Sequence, residues 1–81
     1  MASFAIWGRI SHSAPNEFVT MATAIPLKAD AVAVDLDGRP GTAAVICRSR
    51  QEAEARRDMM VASLAERLRA AGHQVLDVEV D

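Results

Sequence analysis

The clearest hydrophobic pattern in this chain lies in its last third, where apolar residues recur at the spacing of one helical face. At about 100° per residue, one stripe of the predicted helix contains Ala53, Met60, Leu64, Leu68 and Ala71, with Val61 at its edge. Arg57 falls on the same stripe. We expect its aliphatic stem to cover the sheet edge while its charged end reaches water or Glu54.

Residue types also mark both ends of this helix. Ser49 is expected to accept a hydrogen bond from the Glu52 amide, while the Glu52 carboxylate accepts one from the Ser49 amide. Gly72 suits the left-handed position after the last turn, and His73 then contacts Leu68. These caps predict a helix of about twenty residues between them.

Apolar and polar residues alternate before and after the helix, which predicts strands. They are expected over residues 3–10, 17–25, 31–36 and 42–48, and then over 74–80. The run D-G-R-P-G at residues 37–41 is the strongest hairpin signal. The predicted fold class is α+β in the order β-β-β-β-α-β, an antiparallel-dominated sheet with one long helix packed across one face. Residues 1–81 are expected to form a single compact domain.

Two positions for the last strand are open. It lies beside the strand over residues 42–48 in parallel, or it crosses to pair antiparallel with the first strand. We prefer the second arrangement, because it adds another antiparallel neighbour, and we expect a right-handed crossover. The residues predicted to form the core are Met60, Leu64, Leu68 and Val78.

One helix covers one face of such a sheet and leaves the second face open. The expected members of that second face are Ala5, Thr20, Ala22, Ala24, Ala31 and Ala33, with Trp7 and Phe18 as its large residues. Apolar patches of this kind mark contacts with other molecules. We predict association through this face, centred on Trp7 and Phe18, whereas a register slip of one residue would turn Trp7 inward.

The amino-acid composition limits the classes of protein to which this chain can belong. Hydrophobic residues make up 51% and charged residues 25% of the 81 residues, which is enough for a packed core. The net charge of −2 and the balance of charges in both halves give no basic tail and no acidic arm. A single cysteine, with no signal peptide and no apolar run of transmembrane length, favours a cytoplasmic protein.

The basic residues are biased in type. Eight of the nine are arginine, and sixteen residues are alanine. Such a bias is typical of GC-rich bacterial genomes, so the arginines alone do not indicate nucleic-acid binding.

Few residues could found a metal site or a nucleophile: His12, Cys47 and His73. Their spacing matches no zinc pattern, and no local motif pairs Cys47 with a histidine base. The carboxylate pairs Asp35/Asp37 and Asp77/Glu79 are better explained as solubilising strand surfaces. We therefore expect no metal, no cofactor and no catalytic residue, and an enzyme is the least favoured class.

The leading prediction is a small non-enzymatic interaction module that forms a homodimer or docks a protein partner. The runner-up is a weak binder of nucleic acid or another anionic ligand, using arginines near the start of the helix. Negative net charge, a single lysine and the absence of tyrosine count against nucleic acid. The candidate binding residues are Trp7, Arg9, Phe18, Arg48, Arg50 and Arg57.

Overall fold

A computed structural model describes residues 2–28 and 32–81 of the chain. The elements follow in the order β1 (Ser3–Ala14), β2 (Glu17–Pro26), β3 (Ala43–Cys47), α1 (Arg50–Ala70) and β4 (Gln74–Val80). The strands form one sheet in the order β3-β2-β1-β4, and α1 packs across one of its faces. The predicted α+β class is confirmed, and the sheet is mixed: among the described strands, the β1–β2 and β2–β3 pairings are antiparallel and the β1–β4 pairing is parallel. Within the described residues, no helix is both long and apolar enough to cross a membrane.

The strand predicted over residues 31–36 is largely absent. Its first residue lies outside the described residues, and of the rest only Val34 forms bridges, to Ala24 and to Pro40. Val34 and Ala24 exchange both backbone hydrogen bonds, at 2.9 and 3.0 Å. Among the described residues of this segment, the chain thus forms a single β-bridge to β2 and does not add a strand to the sheet.

A local turn explains why this segment does not extend further. One carboxylate oxygen of Asp35 accepts hydrogen bonds from the amides of Asp37 and Arg39, at 2.9 and 3.0 Å. Gly38 adopts a φ of +77° between them. These hydrogen bonds satisfy the backbone within the turn itself, and so compete with the ladder that a longer strand would need.

The missing strand also changes the direction of β4. With three strands before the helix in place of four, the chain reverses one time fewer, so β4 runs parallel to β1. The preferred neighbour of the last strand was therefore right and its antiparallel orientation was wrong. As expected, β4 is parallel to the strand that precedes the helix, because β1 and β3 both lie antiparallel to β2.

The helix begins with the predicted cap, changed in one detail. The Ser49 hydroxyl accepts from the Glu52 amide at 3.1 Å, as expected. The Glu52 carboxylate accepts from the amide of Arg48, also at 3.1 Å, and not from that of Ser49. Since β3 ends at Cys47, the Arg48 amide has left the ladder and is open to this partner.

The C-terminal end of the helix agrees with the prediction. Gly72 has a φ of +88°. The His73 amide donates to the Leu68 carbonyl and the Gly72 amide to the Arg69 carbonyl, both at 3.0 Å. This pair of hydrogen bonds is the Schellman arrangement that a left-handed glycine permits.

The core lies between α1 and the β1–β2 hairpin. Met60, Leu64 and Leu68 are buried as predicted, beside Phe4 and Ile6. Val78, also predicted to be in the core, is 44% exposed. That prediction was wrong because α1 contacts β1 and β2 most extensively, and β4 at the sheet edge is only partly covered.

The residues of the sheet that lie beneath the helix are small: Gly8, Thr20, Ala22 and Ala24. A Cβ atom on Gly8 would lie 2.5 Å from Cγ2 of Val61 and 3.0 Å from Cγ of Arg57. The Thr20 hydroxyl donates to the Ala53 carbonyl of the helix at 3.0 Å. Thr20, Ala22 and Ala24 were expected on the open face, and they are instead the residues that let the helix approach.

We expect Gly8→Ala to lower the free energy of unfolding by about 1–3 kcal/mol, because the added methyl group overpacks the contact with Val61. Val61→Ala alone should also destabilise, since it leaves a cavity. In the double variant the two losses should be less than additive by about 0.5 kcal/mol or more. Urea unfolding of the four proteins measures this coupling, and additive losses would contradict the close contact.

Gly72 provides a second stability test. Gly72→Ala should destabilise by about 1 kcal/mol, because alanine is strained at positive φ. Gly72→Asn should cost less, since asparagine tolerates the left-handed region. Equal losses for the two variants in thermal unfolding would argue against a conformational origin.

Candidate interaction surfaces

The register of the β1–β2 hairpin decides which side chains share a face of the sheet. Ala14 pairs with Glu17, but an irregularity between His12 and Ala14 brings His12 opposite Phe18. Without that bulge, Phe18 would share the face of Trp7, as predicted from the sequence. With it, Phe18 turns to the helix side while Trp7 faces away from the helix. The expected pairing of these two aromatic residues in one surface was therefore wrong.

The face away from the helix, which we call the open face, is more apolar than expected. By strand alternation and register its members are Ala5, Trp7, Arg9, Val19, Met21, Thr23, Ile25, Ala44, Ile46, Asp77 and Glu79. Ile46 is 59% exposed and Ile25 is 39% exposed. The sequence shows that Val19 and Met21 share one face of β2. It does not show which face, because that depends on the small residues that the helix needs beneath it.

Trp7 and Arg9 lie near the C-terminal end of β4, beside which β1 continues to Ala14. The guanidinium carbon of Arg9 lies 4.7 Å from the centre of the Trp7 ring. Its Nε is 3.7 Å from the Asp81 carboxylate. From the helix side, Arg57 donates to the Asp81 carbonyl and pairs with Asp58 at 3.2 Å. Arg9 thus approaches Asp81 from the face away from the helix, and Arg57 approaches it from the helix side.

Arg57 differs from its expected environment. Its side chain is only 14% exposed, and its partners are Asp58 and Asp81 in place of water or Glu54. An arginine engaged in this way supports the fold at the C-terminal end of β4. It is therefore a poorly available ligand for an external anion.

The other predicted binding residues lie near the start of the helix. The His12 ring stacks on Phe18 with centroids 4.6 Å apart and 7° between the planes. The guanidinium of Arg50 lies over the Phe18 ring at 5.4 Å. Phe18 is buried and also packs against Cys47 and Ala53, so its ring is not open for stacking on a base. Arg48 is exposed.

The helix N-terminus offers little to an anionic ligand. The amide of Glu52 already donates to the Ser49 hydroxyl, and the Glu52 carboxylate holds the Arg48 amide. A carboxylate of the chain therefore occupies the region that a phosphate would need. Arg50 is turned toward Phe18. The four candidate arginines form no single basic site.

A cavity of about 380 Å³ lies between residues 34–38 and the second half of α1. Its polar groups are used within the protein. Arg67 donates to the Leu36 carbonyl and pairs with Asp37 at 3.4 Å, while Nδ1 of His73 accepts from the Ala2 amide at 3.2 Å. These contacts hold the turn and the start of β1 against the helix, which explains the arrangement without a ligand.

The described residues contain no group of three or more His, Cys, Asp or Glu side chains placed to hold a metal ion. Cys47 is buried, and its sulfur lies 3.9 Å from the Thr20 hydroxyl. No histidine is hydrogen-bonded to it among the contacts of these residues. The arrangement around Cys47 is that of a small core side chain.

Substitution of Arg50 and of Arg48 tests which arginine at the start of the helix stabilises the fold. Arg50→Ala should lower the free energy of unfolding by about 0.5–1 kcal/mol, because the cation over the Phe18 ring is lost. Arg48→Ala removes the same charge two residues away and should have almost no effect. Denaturant unfolding of both variants tests this, and equal losses would show that Arg50 does not support Phe18.

Comparison with known protein families, with curated proteins and with solved structures finds no match to this chain. No relative therefore supplies a function. The open face and the edges of the sheet are the surfaces from which a function can be argued.

Proposed function

We propose that this protein is a non-enzymatic interaction module that associates with a second copy through the open face. The observation that carries the proposal is a sheet face on which half-buried Trp7 of β1 lies between Thr23 of β2 and Glu79 of β4, with apolar side chains along β2 and β3. Those side chains are Val19, Met21, Ile25, Ala44 and Ile46. Aromatic residues in the middle of apolar surfaces contribute most of the binding energy in many interfaces.

The extent of the open face suits a small dimer. Among the described residues, β1 has 12 residues, β2 has 10, β3 has 5 and β4 has 7. At about 3.3 Å per residue and 4.8 Å between strands, such a face covers roughly 540 Å². Two copies would bury about 1,100 Å² together, which just exceeds the roughly 1,000 Å² that a specific interface needs.

Charge favours one orientation of this dimer. The acidic residues of the open face, Asp77 and Glu79, lie on β4, whereas Ala44 and Ile46 of β3 are neutral. A twofold axis along the strands places β4 of one copy over β3 of the other. An axis across the strands would place the acidic rows of both copies against each other, which is unfavourable.

Arg9 adds to the proposed interface from its rim. Its guanidinium lies over Trp7 and is held toward Asp81. Association would remove water from this cation–π contact, and such contacts are stronger when they are desolvated. Trp7 is thus held in place before binding, which lowers the entropic cost of association.

We also propose that the protein works in a reducing compartment such as a bacterial cytoplasm. Cys47 is the single cysteine, and it is a free, buried thiol. The stability of the fold therefore owes nothing to a disulfide.

Sedimentation of the wild type and of Trp7→Ser tests the association. The wild type should form a dimer whose dissociation constant rises at least tenfold in Trp7→Ser, because the central anchor is lost. Met59→Ser is the matched control, since Met59 is 65% exposed but lies on the helix, outside the open face. It should leave the dimer unchanged.

Two results would overturn self-association. One is a wild type that stays monomeric at the highest soluble concentration. The other is an equal weakening by Trp7→Ser and Met59→Ser. Quenching of the single tryptophan by acrylamide gives an independent measure, and it should decrease as the protein concentration rises.

A further inference from the structure

The outer edge of β4 carries unpaired backbone groups. β4 is an edge strand that pairs only with β1, and no strand among the described residues lies beyond it. The Asp81 amide donates to the Gly8 carbonyl of β1 at 3.0 Å. Because alternate residues of a parallel ladder turn both backbone groups to the same side, those of Val78 and Val80 point outward.

The same residues present apolar side chains to solvent. Val78 and Val80 pair with Ile6 and Gly8, which places them on the helix side of the sheet. They are nevertheless 44% and 48% exposed, because the helix is centred on β1 and β2. Leu76, at the irregularity of this strand, is 61% exposed. Hydrophobic edges of this kind are templates for another strand.

Acidic residues occupy the other side of β4. Asp77 and Glu79 pair with Ala5 and Trp7, so they lie on the open face, and both are exposed. Neither belongs to an ion pair within the described residues. The edge therefore presents valines on one side and carboxylates on the other.

This charge pattern disfavours a second β4 as the partner. If two copies of β4 paired antiparallel over residues 77–80, an acidic residue would face an acidic residue in each twofold register. Like charges directly opposite each other destabilise a strand pair. The free edge of β3 would bring Ala44 and Ile46 to that side, and neither is basic.

We propose that the β4 edge binds an extended segment of another protein in which apolar residues alternate with lysine or arginine. The segment adds a fifth strand, with its backbone paired to Val78 and Val80. Its apolar side chains lie beside the exposed valines, and its basic side chains lie beside Asp77 and Glu79. Main-chain hydrogen bonds supply affinity in this mode of recognition, while the side chains supply specificity.

A labelled, capped nine-residue peptide of alternating valine and lysine is the probe, and fluorescence anisotropy is the measurement. We expect saturable binding that weakens with salt. Val80→Pro removes one outward amide and leaves the bonds to β1 in place, a change that edge strands tolerate. It should weaken binding about tenfold, whereas Val80→Ala, which keeps the amide, should weaken it less.

Charge is tested separately by a matched pair of variants. Glu79→Gln should weaken binding and reduce its salt dependence. Glu66→Gln, the same change at an exposed position of the helix, should do neither. Trp7→Ser should retain peptide binding, so failure of the open-face dimer and failure of the β4 site give different results.

The peptide supplies a test that does not depend on the folding of any variant. N-methylation of alternate residues on one edge should abolish binding to the wild type, and methylation on the other edge should preserve it. Absence of binding at low salt would overturn the proposal. Equal binding of both methylated peptides would also overturn it, because charge attraction without strand pairing would then be sufficient.

Discussion

The close approach of the helix to the sheet at Gly8 is the constraint on which the rest of the structure depends. There is no room for a side chain between β1 and Val61 at this point. Neighbouring positions are therefore alanine and threonine, and the Thr20 hydroxyl bonds directly to the helix backbone. Because Thr20, Ala22 and Ala24 lie beneath the helix, Val19, Met21 and Ile25 of β2 lie on the other face, whereas Phe18 stays on the helix side at the end of the strand. The apolar open face is thus a consequence of how the helix packs.

Local chemistry made part of this fold predictable. The caps at Ser49 and Gly72 depend on residues within one turn of the helix, and both are found with the expected donors and acceptors. The strand after Gly72 was predictable for the same reason, because its start is set by the local end of the helix. In contrast, the segment before Asp37 has a strand-like sequence, but the Asp35 carboxylate accepts hydrogen bonds from the amides of Asp37 and Arg39 and forms a turn there. Propensity alone does not reveal which of two local structures is more stable.

The candidate surfaces were harder to predict, because they depend on register. A single bulge after His12 moves Phe18 to the helix side and leaves Trp7 on the open face. Alternation in each strand was readable, but the offset between the two strands is a non-local property. The exposure of β4 likewise depends on where the helix lies across the sheet. Trp7 was therefore assigned to the correct face, whereas its expected companion was not.

The burial of the lone thiol under the first turns of the helix has a consequence for dynamics. Cys47 is packed against Ala53 and Phe18 and is 1% exposed. A reagent that alkylates thiols reaches it only when this half of the helix separates from the sheet, so the labelling rate reports the free energy of that opening. Partial detachment and global unfolding would differ in their dependence on denaturant. The Cys47 thiol therefore reports whether the first half of the helix separates from the sheet by itself or only when the whole protein unfolds.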